Sequence, residues 1–381
     1  MRIGYDLRRI NNPGIGRYMR RIVEGILQHA PQNEYVLIMA PGTEELVAGR
    51  AAGNVKTIVT TLPYYSVREQ FELRSIARNE RLDLFHSPHF LMPLLPTCPT
   101  VITIHDVIYI ACKDDLDSRA GRLYYRWMMK AAAHQSQRII TDSEYSKSDI
   151  VQLLSVRQDK VDVVSLGVEK AFQPVQDANR LREVAEKYGA SKPFMFYAGI
   201  FKRRKNHAGL LRAFAEVRKA GVDVQLVIGG PLKEGKAILE RLARDLNISS
   251  DVVFAGFIEE ADLPALYSAA RVYACPSNYE GFGFTILEAM GCGTPVVCNP
   301  STSLPEVAGE AVLWADANSP QAFADALVRA CSDSSLRCSL VERGFRNVSR
   351  FSWDRAVSET LATYDKVLAA HDRLAQPVSL A

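Results

Sequence analysis

Short apolar, largely β-branched runs alternate with longer segments of helical period along the whole chain. In the first part the runs fall at 2–5, 35–39, 55–59, 82–85, 100–104, 138–141 and 161–164. Helical periodicity between them covers 16–29, 67–79, 119–133 and 144–154. In the second part, runs at 194–198, 224–228, 252–254, 272–275, 295–298 and 311–313 alternate with helical stretches near 207–220, 234–246, 260–269, 285–290 and 320–330. Strands that are apolar on both faces and separated by helices form parallel sheets covered on both sides.

Between Leu166 and Pro193 the pattern lapses into polar sequence carrying Gly167, Pro174 and Pro193, and the domain boundary is placed there. The predicted class is α/β, with two Rossmann-like domains, 1–168 and 169–351, facing an interdomain cleft. Residues 352–381 are expected to form a helix and tail packing back on the first domain. A length of 381 residues, more than one core serves, agrees with two domains.

Composition narrows the function. A net charge of +3 is too small for nucleic-acid binding to be the main task. The seven cysteines contain no C-x-x-C pair, so neither a disulfide framework nor a zinc site is expected, and a reducing cytoplasm fits. The chain opens without a basic-then-apolar leader, and no apolar run approaches the roughly 20 residues of a spanning helix. A cytoplasmic enzyme, soluble or on a membrane surface, is expected.

The richest segment runs from Asn278 to Val297, NYEGFGFTILEAMGCGTPVV, between two buried-type strands. Gly281 and Gly283 allow a sharp turn and close approach to a ligand. Thr285 is expected to cap the helix that follows, whose amino end would suit a diphosphate. Glu280 and Glu288, eight residues apart, could grip hydroxyls on sugars flanking that diphosphate. The spacing alone also fits a capped helix with two solvated glutamates.

The segment Tyr197 to His207, YAGIFKRRKNH, ends the first strand of the second half and carries Lys202, Arg203, Arg204 and Lys205. Arginine binds phosphate bidentately and lysine as a point charge. The carboxyl end of a parallel strand is where open α/β sheets bind ligands. A solvated charged face is the alternative.

In the first half, NPGIGRY (Asn12–Tyr18) follows a strand and opens a helix, but Met19 stands where a dinucleotide fingerprint needs its third glycine. The Gly14–Gly16 loop is instead read as backbone facing the cleft. His105-Asp106 ends a strand and could bind substrate hydroxyls or donate a proton, whereas His86 and His89 fit structural positions equally. Asp115-Leu-Asp117 matches a D-x-D metal motif only superficially, and no metal role is assigned. Arg119, Arg122, Tyr124, Tyr125, Arg126, Trp127 and Lys130 interleave on one helix, a pattern that suits an anionic membrane or a helix packing its aromatics inward.

Together these motifs resemble family 4 of the retaining glycosyltransferases, which have the GT-B fold. The likeness runs from the Gly14–Tyr18 loop through His105-Asp106, Ser143–Lys147, Gly199 to Asn206 and Gly229-Gly230 to Glu280…Glu288 and Glu306–Gly309. It implies Glu280, Phe282 and Gly283 at the donor sugar, and Arg204, Lys205, Gly16, Phe284 and Thr285 at the diphosphate. It also implies Glu288 at the ribose, Gly230 and Ile258 at the base, and His105 with Asp106 near the transferred sugar. Ile200 stands where many members carry arginine, leaving Arg204 and Lys205, with Arg203 or Lys202 as further candidates, to meet the diphosphate charge.

The IHD, RKN and Ser303-Leu-Pro-Glu-Val runs are most similar to bacterial members that use GDP-mannose or a GDP-linked 6-deoxymannose such as rhamnose. The resemblance implies retaining, metal-independent transfer from a nucleotide-sugar donor to a lipid-linked saccharide in O-antigen assembly, with no cofactor. Peripheral association with the cytoplasmic face of the inner membrane would follow. A sugar-nucleotide epimerase on a related fold, and a non-catalytic partner of another transferase, are the alternatives.

Overall fold

The computed structural model describes residues 1–12, 14–48, 53–112, 118–233 and 235–375. Asp115-Leu-Asp117 lies outside them. The chain divides into two compact units, Met1–Gly167 with the residues from Ser352 onward, and Val168–Phe351.

The first unit is built on a parallel sheet of β1 (Arg2–Asp6), β2 (Glu34–Met39), β3 (Val55–Val59), β4 (Leu84–Ser87), β5 (Thr100–Thr103), β6 (Arg138–Thr141) and β7 (Val161–Val163). Their order is β3-β2-β1-β4-β5-β6-β7. Apart from Glu34 at the start of β2, strands β2, β4 and β5 are buried along their length, as parallel strands covered by helices must be. The final helix, Trp353–Ala375, belongs to this unit and packs on the helix Ile15–His29. A buried polar chain ties it down. Tyr364 Oη lies 2.6 Å from both Tyr5 Oη and His86 Nδ1, and His86 Nε2 lies 3.0 Å from Thr103 Oγ1. Burial pushes the His86 pKa down to about 3, so this histidine is a neutral structural link.

The second unit has a parallel sheet of β8 (Phe194–Ala198), β9 (Gln225–Gly229), β10 (Val252–Gly256), β11 (Val272–Cys275), β12 (Val296–Cys298) and β13 (Leu313–Trp314). The order β10-β9-β8-β11-β12-β13 reverses direction at β8, with β9 on one side and β11 on the other. At such a switch point the loops leaving the two central strands part and open a crevice at their carboxyl ends. Those loops are Gly199–Lys205 and Pro276–Gly283.

Three sequence expectations need correction. The polar stretch 166–193 contains a helix, Ala178–Lys187, capped by the Asp177 carboxylate on the amides of Asn179 and Arg180; its few apolar positions hid its period. The segment 260–269 begins as a 3₁₀ turn, Glu260–Asp262, and turns α-helical only at Leu263. The last strand lies at Leu313–Trp314 rather than 311–313.

Candidate active site

After β8 the chain makes a 3₁₀ turn, Arg203–Lys205, and Asn206 enters the left-handed region (φ 51°). Its side chain accepts the Gly209 amide and so caps the helix His207–Lys219. This fixes Arg204 and Lys205 at the rim of the crevice. From the far side, the loop after β11 is pinned to the same turn, because the Asn278 amide donates to the Arg204 carbonyl at 2.7 Å.

Glu280 is thereby brought to the cations. Lys205 Nζ donates to its Oε1 at 2.6 Å, and Arg204 Nη1 stands 3.8 Å from its Oε2 while donating to the Tyr279 carbonyl at 3.3 Å. Burial alone would raise the Glu280 pKa, but Lys205 and then Arg204 bring it below the ordinary carboxylate value. The carboxylate is therefore ionised at neutral pH. Two cations against one carboxylate leave the cluster net positive, which favours an arriving anion.

The Glu280 backbone is clamped by a loop to which the sequence reading assigned no site role. Its amide donates to Thr302 Oγ1 at 2.9 Å, and the hydroxyls of Thr302 and Ser303 both lie 2.9 Å from its carbonyl oxygen. Ser303 Oγ also lies 3.0 Å from the Phe282 carbonyl. A tertiary clamp of this kind leaves no periodic trace.

The following helix, Phe284–Gly291, corrects the predicted cap. Gly283, at φ 112°, occupies the cap position, and no side-chain hydrogen bond caps the helix. That backbone conformation strongly favours glycine. Thr285 falls inside the first turn. The amino end of the helix consequently faces the loop without a side-chain cap, which strengthens the anion-site geometry proposed from sequence. Phe282 is buried, its ring edge-on to Phe284 and Phe351.

Glu288 is not a solvated group. It is buried on the inner side of this helix, where Oε2 accepts the Tyr267 hydroxyl at 3.0 Å. Only 284–288 of the span between the two glutamates is helical, so their separation is not set by one continuous helix. On the other flank the ends of β8, β9 and β10 close tightly together. The Gly199 amide donates to the Gly229 carbonyl at 3.0 Å, and the Gly230 amide to the Gly256 carbonyl at 2.6 Å. Gly230 has φ 113°, and a Cβ there would meet the Gly199 oxygen at 2.4 Å. Ile258 is buried, with its side chain over Gly229.

The remaining candidates belong to the first unit. Gly16 is buried in the first turn of Ile15–His29, its amide bonded to the Asn12 carbonyl at 2.8 Å. His105 leaves the end of β5 with Nδ1 2.8 Å from Asp142 Oδ2, and Tyr18 packs edge-on to its ring at 4.7 Å. Burial opposes charge on His105, yet Asp142, and more weakly Asp106 and the Pro88 carbonyl, raise its pKa above 6.5. Asp106 accepts the Ile108 amide at 3.0 Å and so serves the local turn. Asp142 was missed from sequence; its only signal was its position at the end of β6, next to β5.

Comparison with known proteins gives the family. Residues 14–172 match the family model described as Glycosyltransferase Family 4, and residues 180–347 that described as Glycosyl transferases group 1. The chain is 32% identical over 283 residues to the O-antigen chain mannosyltransferase B of Escherichia coli, covering 74% of each protein. It is 32% identical over 318 residues to a D-inositol 3-phosphate glycosyltransferase of Salinispora arenicola, covering 76% of this chain and 70% of that one. A structure of Anabaena HepE in complex with UDP-glucose superposes with a TM-score of 0.76 at 17% identity, over 96% of this chain and 100% of that one. This last is a likeness of fold.

Proposed function

The chain belongs to glycosyltransferase family 4 and has the GT-B fold, and from that premise we propose that it transfers mannose or a 6-deoxymannose such as D-rhamnose from a GDP-sugar to a lipid-linked saccharide. The pathway would be assembly of a bacterial surface polysaccharide of the O-antigen type, a reading supported by the name of the Escherichia coli relative. The observation that carries the donor site is the Arg204–Lys205–Glu280 cluster at the carboxyl ends of β8 and β11.

In this reading the diphosphate lies across Arg204, Lys205 and the amino end of Phe284–Gly291. Glu280, with its backbone clamped by Thr302 and Ser303, accepts hydroxyls of the donor sugar. Glu288 is assigned to the ribose, and the Gly230 backbone with Ile258 to the base. As the bond from the sugar C1 to the diphosphate oxygen breaks, negative charge grows on that oxygen. Two cations and a helix end already aimed at it stabilise the transition state without reorganising, so no metal is needed. Retention follows from substitution on the face that the diphosphate leaves, with the departing phosphate oxygen taking the acceptor hydroxyl's proton. In the first unit, His105, oriented by Asp142, is the group proposed to hold a substrate hydroxyl or to donate a proton.

The test is incubation of the purified protein with GDP-mannose and with GDP-D-rhamnose, each with and without a lipid-linked saccharide primer. The reading expects an extended primer carrying the donor's anomeric configuration. An isomerised nucleotide sugar without primer would point to an epimerase instead.

A further inference from the structure

At the amino ends of β6 and β7 the first unit carries a cavity of about 530 Å³. Its walls come from the start of β6, the turn before β7 and the final helix, Trp353–Ala375. His105 and Asp142 stand at the opposite, carboxyl ends of β5 and β6, so this cavity is separate from the candidate active site. Its volume falls within the roughly 300–1,000 Å³ of small-molecule sites.

Four cations line it: Arg138, Arg157, Lys160 and Lys366. Asp162 takes Lys366 at 3.0 Å and Arg138 at 3.6 Å, and Asp159 pairs with Arg157. Lys160 has no carboxylate partner among the described residues, and its Nζ donates to the His134 carbonyl at 2.8 Å. Four cations against two carboxylates leave two positive charges. Lys160 is also partly buried, and this burial, then Arg157, push its pKa down to about 8. An anion at Nζ supplies the countercharge that the protein withholds. Val156, Val367 and Ala370 add apolar surface to the same lining.

This combination selects its occupant. A bare anion leaves the valines and Ala370 uncovered, and a neutral apolar molecule leaves Lys160 without a countercharge. A phosphate monoester carries about −1.5 to −2 at neutral pH, which matches the two uncompensated positive charges better than a single carboxylate does. We propose that the cavity binds an organic phosphate monoester, its phosphate at Lys160 and the flanking Arg157 and its carbon skeleton against Val156, Val367 and Ala370. So placed, the ligand ties the final helix to the β6–β7 edge of the sheet. The proposal is independent of the donor and acceptor named above.

Phenyl phosphate, inorganic phosphate and the neutral phenyl glucoside probe the two halves of this site. Each is titrated into the full chain while the ring resonances of His134 and His371, which both line the cavity, are followed by NMR. Phenyl phosphate should shift both resonances to saturation, inorganic phosphate should bind roughly tenfold more weakly, and the glucoside should shift neither. Lys160→Gln should weaken phenyl phosphate about tenfold or more. Ala370→Phe fills the cavity from an exposed helix position with every charge kept, and should abolish binding. It also keeps the proposal testable should K160Q fail to fold, as urea unfolding would reveal. Lys205→Met should leave both histidine shifts as in the wild type. Unmoved resonances in the wild type overturn the proposal, as does undiminished binding in folded K160Q or A370F. Binding lost in K205M would move the phosphate to the candidate donor site, and equal binding of inorganic phosphate would remove the organic ligand; either result overturns the assignment.

Discussion

Lys205 Nζ stands 2.6 Å from Glu280 Oε1, although the two side chains come from loops leaving neighbouring parallel strands 75 residues apart. The pair is held from both sides, by the Asn278–Arg204 backbone bond and by the Thr302–Ser303 clamp. Lys205→Met should lower turnover about a hundredfold or more, the scale of one lost transition-state contact. It should also cost about 1–3 kcal/mol in urea unfolding, because Glu280 is left largely buried with its nearest cation gone. Lys205→Met/Glu280→Gln should recover most of the stability and none of the turnover. A double variant with normal turnover would show that the pair is only structural.

The same pair has an acid signature. A carboxylate whose folded pKa is depressed contributes stability that is complete above its ordinary value of 4.5 and is lost as the pH falls through the folded value. The stability gap between the wild type and Glu280→Gln should therefore be full at neutral pH and shrink below pH 4.5. Parallel curves down to acid denaturation would remove the ion pair from the acid response.

His105 and Asp142 give the opposite sign. The folded pKa of His105 is raised, so its contribution is present below 6.5 and lost as the pH rises through the folded value. In Asp142→Asn burial becomes the main influence, and the His105 pKa should drop below 6.5. Titration of its ring resonance by NMR reads this, and with His105 as proton donor the basic limb of turnover should move down with it. An unchanged resonance would rule out Asp142 as the group that sets this histidine.

Gly230→Ala forces a Cβ to 2.4 Å from the Gly199 oxygen at φ 113°. The strain should cost about 1–3 kcal/mol and separate the ends of β8 and β9. Nucleotide affinity should fall with it. Unaltered melting and affinity would show that this backbone contact yields freely.

Tyr364→Phe removes the hydroxyl shared by Tyr5 and His86 in the core of the first unit. It should lower the stability of that unit by about 1–3 kcal/mol and leave nucleotide binding to the second unit unchanged. A wild-type melting curve would mean the network reorganises without cost.

The sheets were legible because buried parallel strands read as continuous apolar runs, and all thirteen stand at or within two residues of where the pattern put them. The helix Ala178–Lys187 was not, since only Val184 is buried and its period is drowned by charge. At the site, glycines and charges marked the two loops, but the contacts between them are tertiary. Nothing local says that Glu280 meets Lys205, that Glu288 turns inward to Tyr267, or that Thr302 and Ser303 hold the loop. The cap at Gly283 rather than Thr285 was hidden for another reason: a left-handed glycine opens the helix two residues earlier than the expected side-chain cap.

The central claim is that the cluster of Arg204, Lys205 and Glu280 receives a nucleoside diphosphate. Thermal melting of the wild type and of Lys205→Met with GDP, UDP, ADP and TDP in excess reads it without any acceptor. A bound diphosphate stabilises the folded state by mass action. The account predicts that GDP raises the wild-type midpoint most and that Lys205→Met loses most of that rise. No rise with any of the four nucleotides, or an equal rise in the variant, would contradict it.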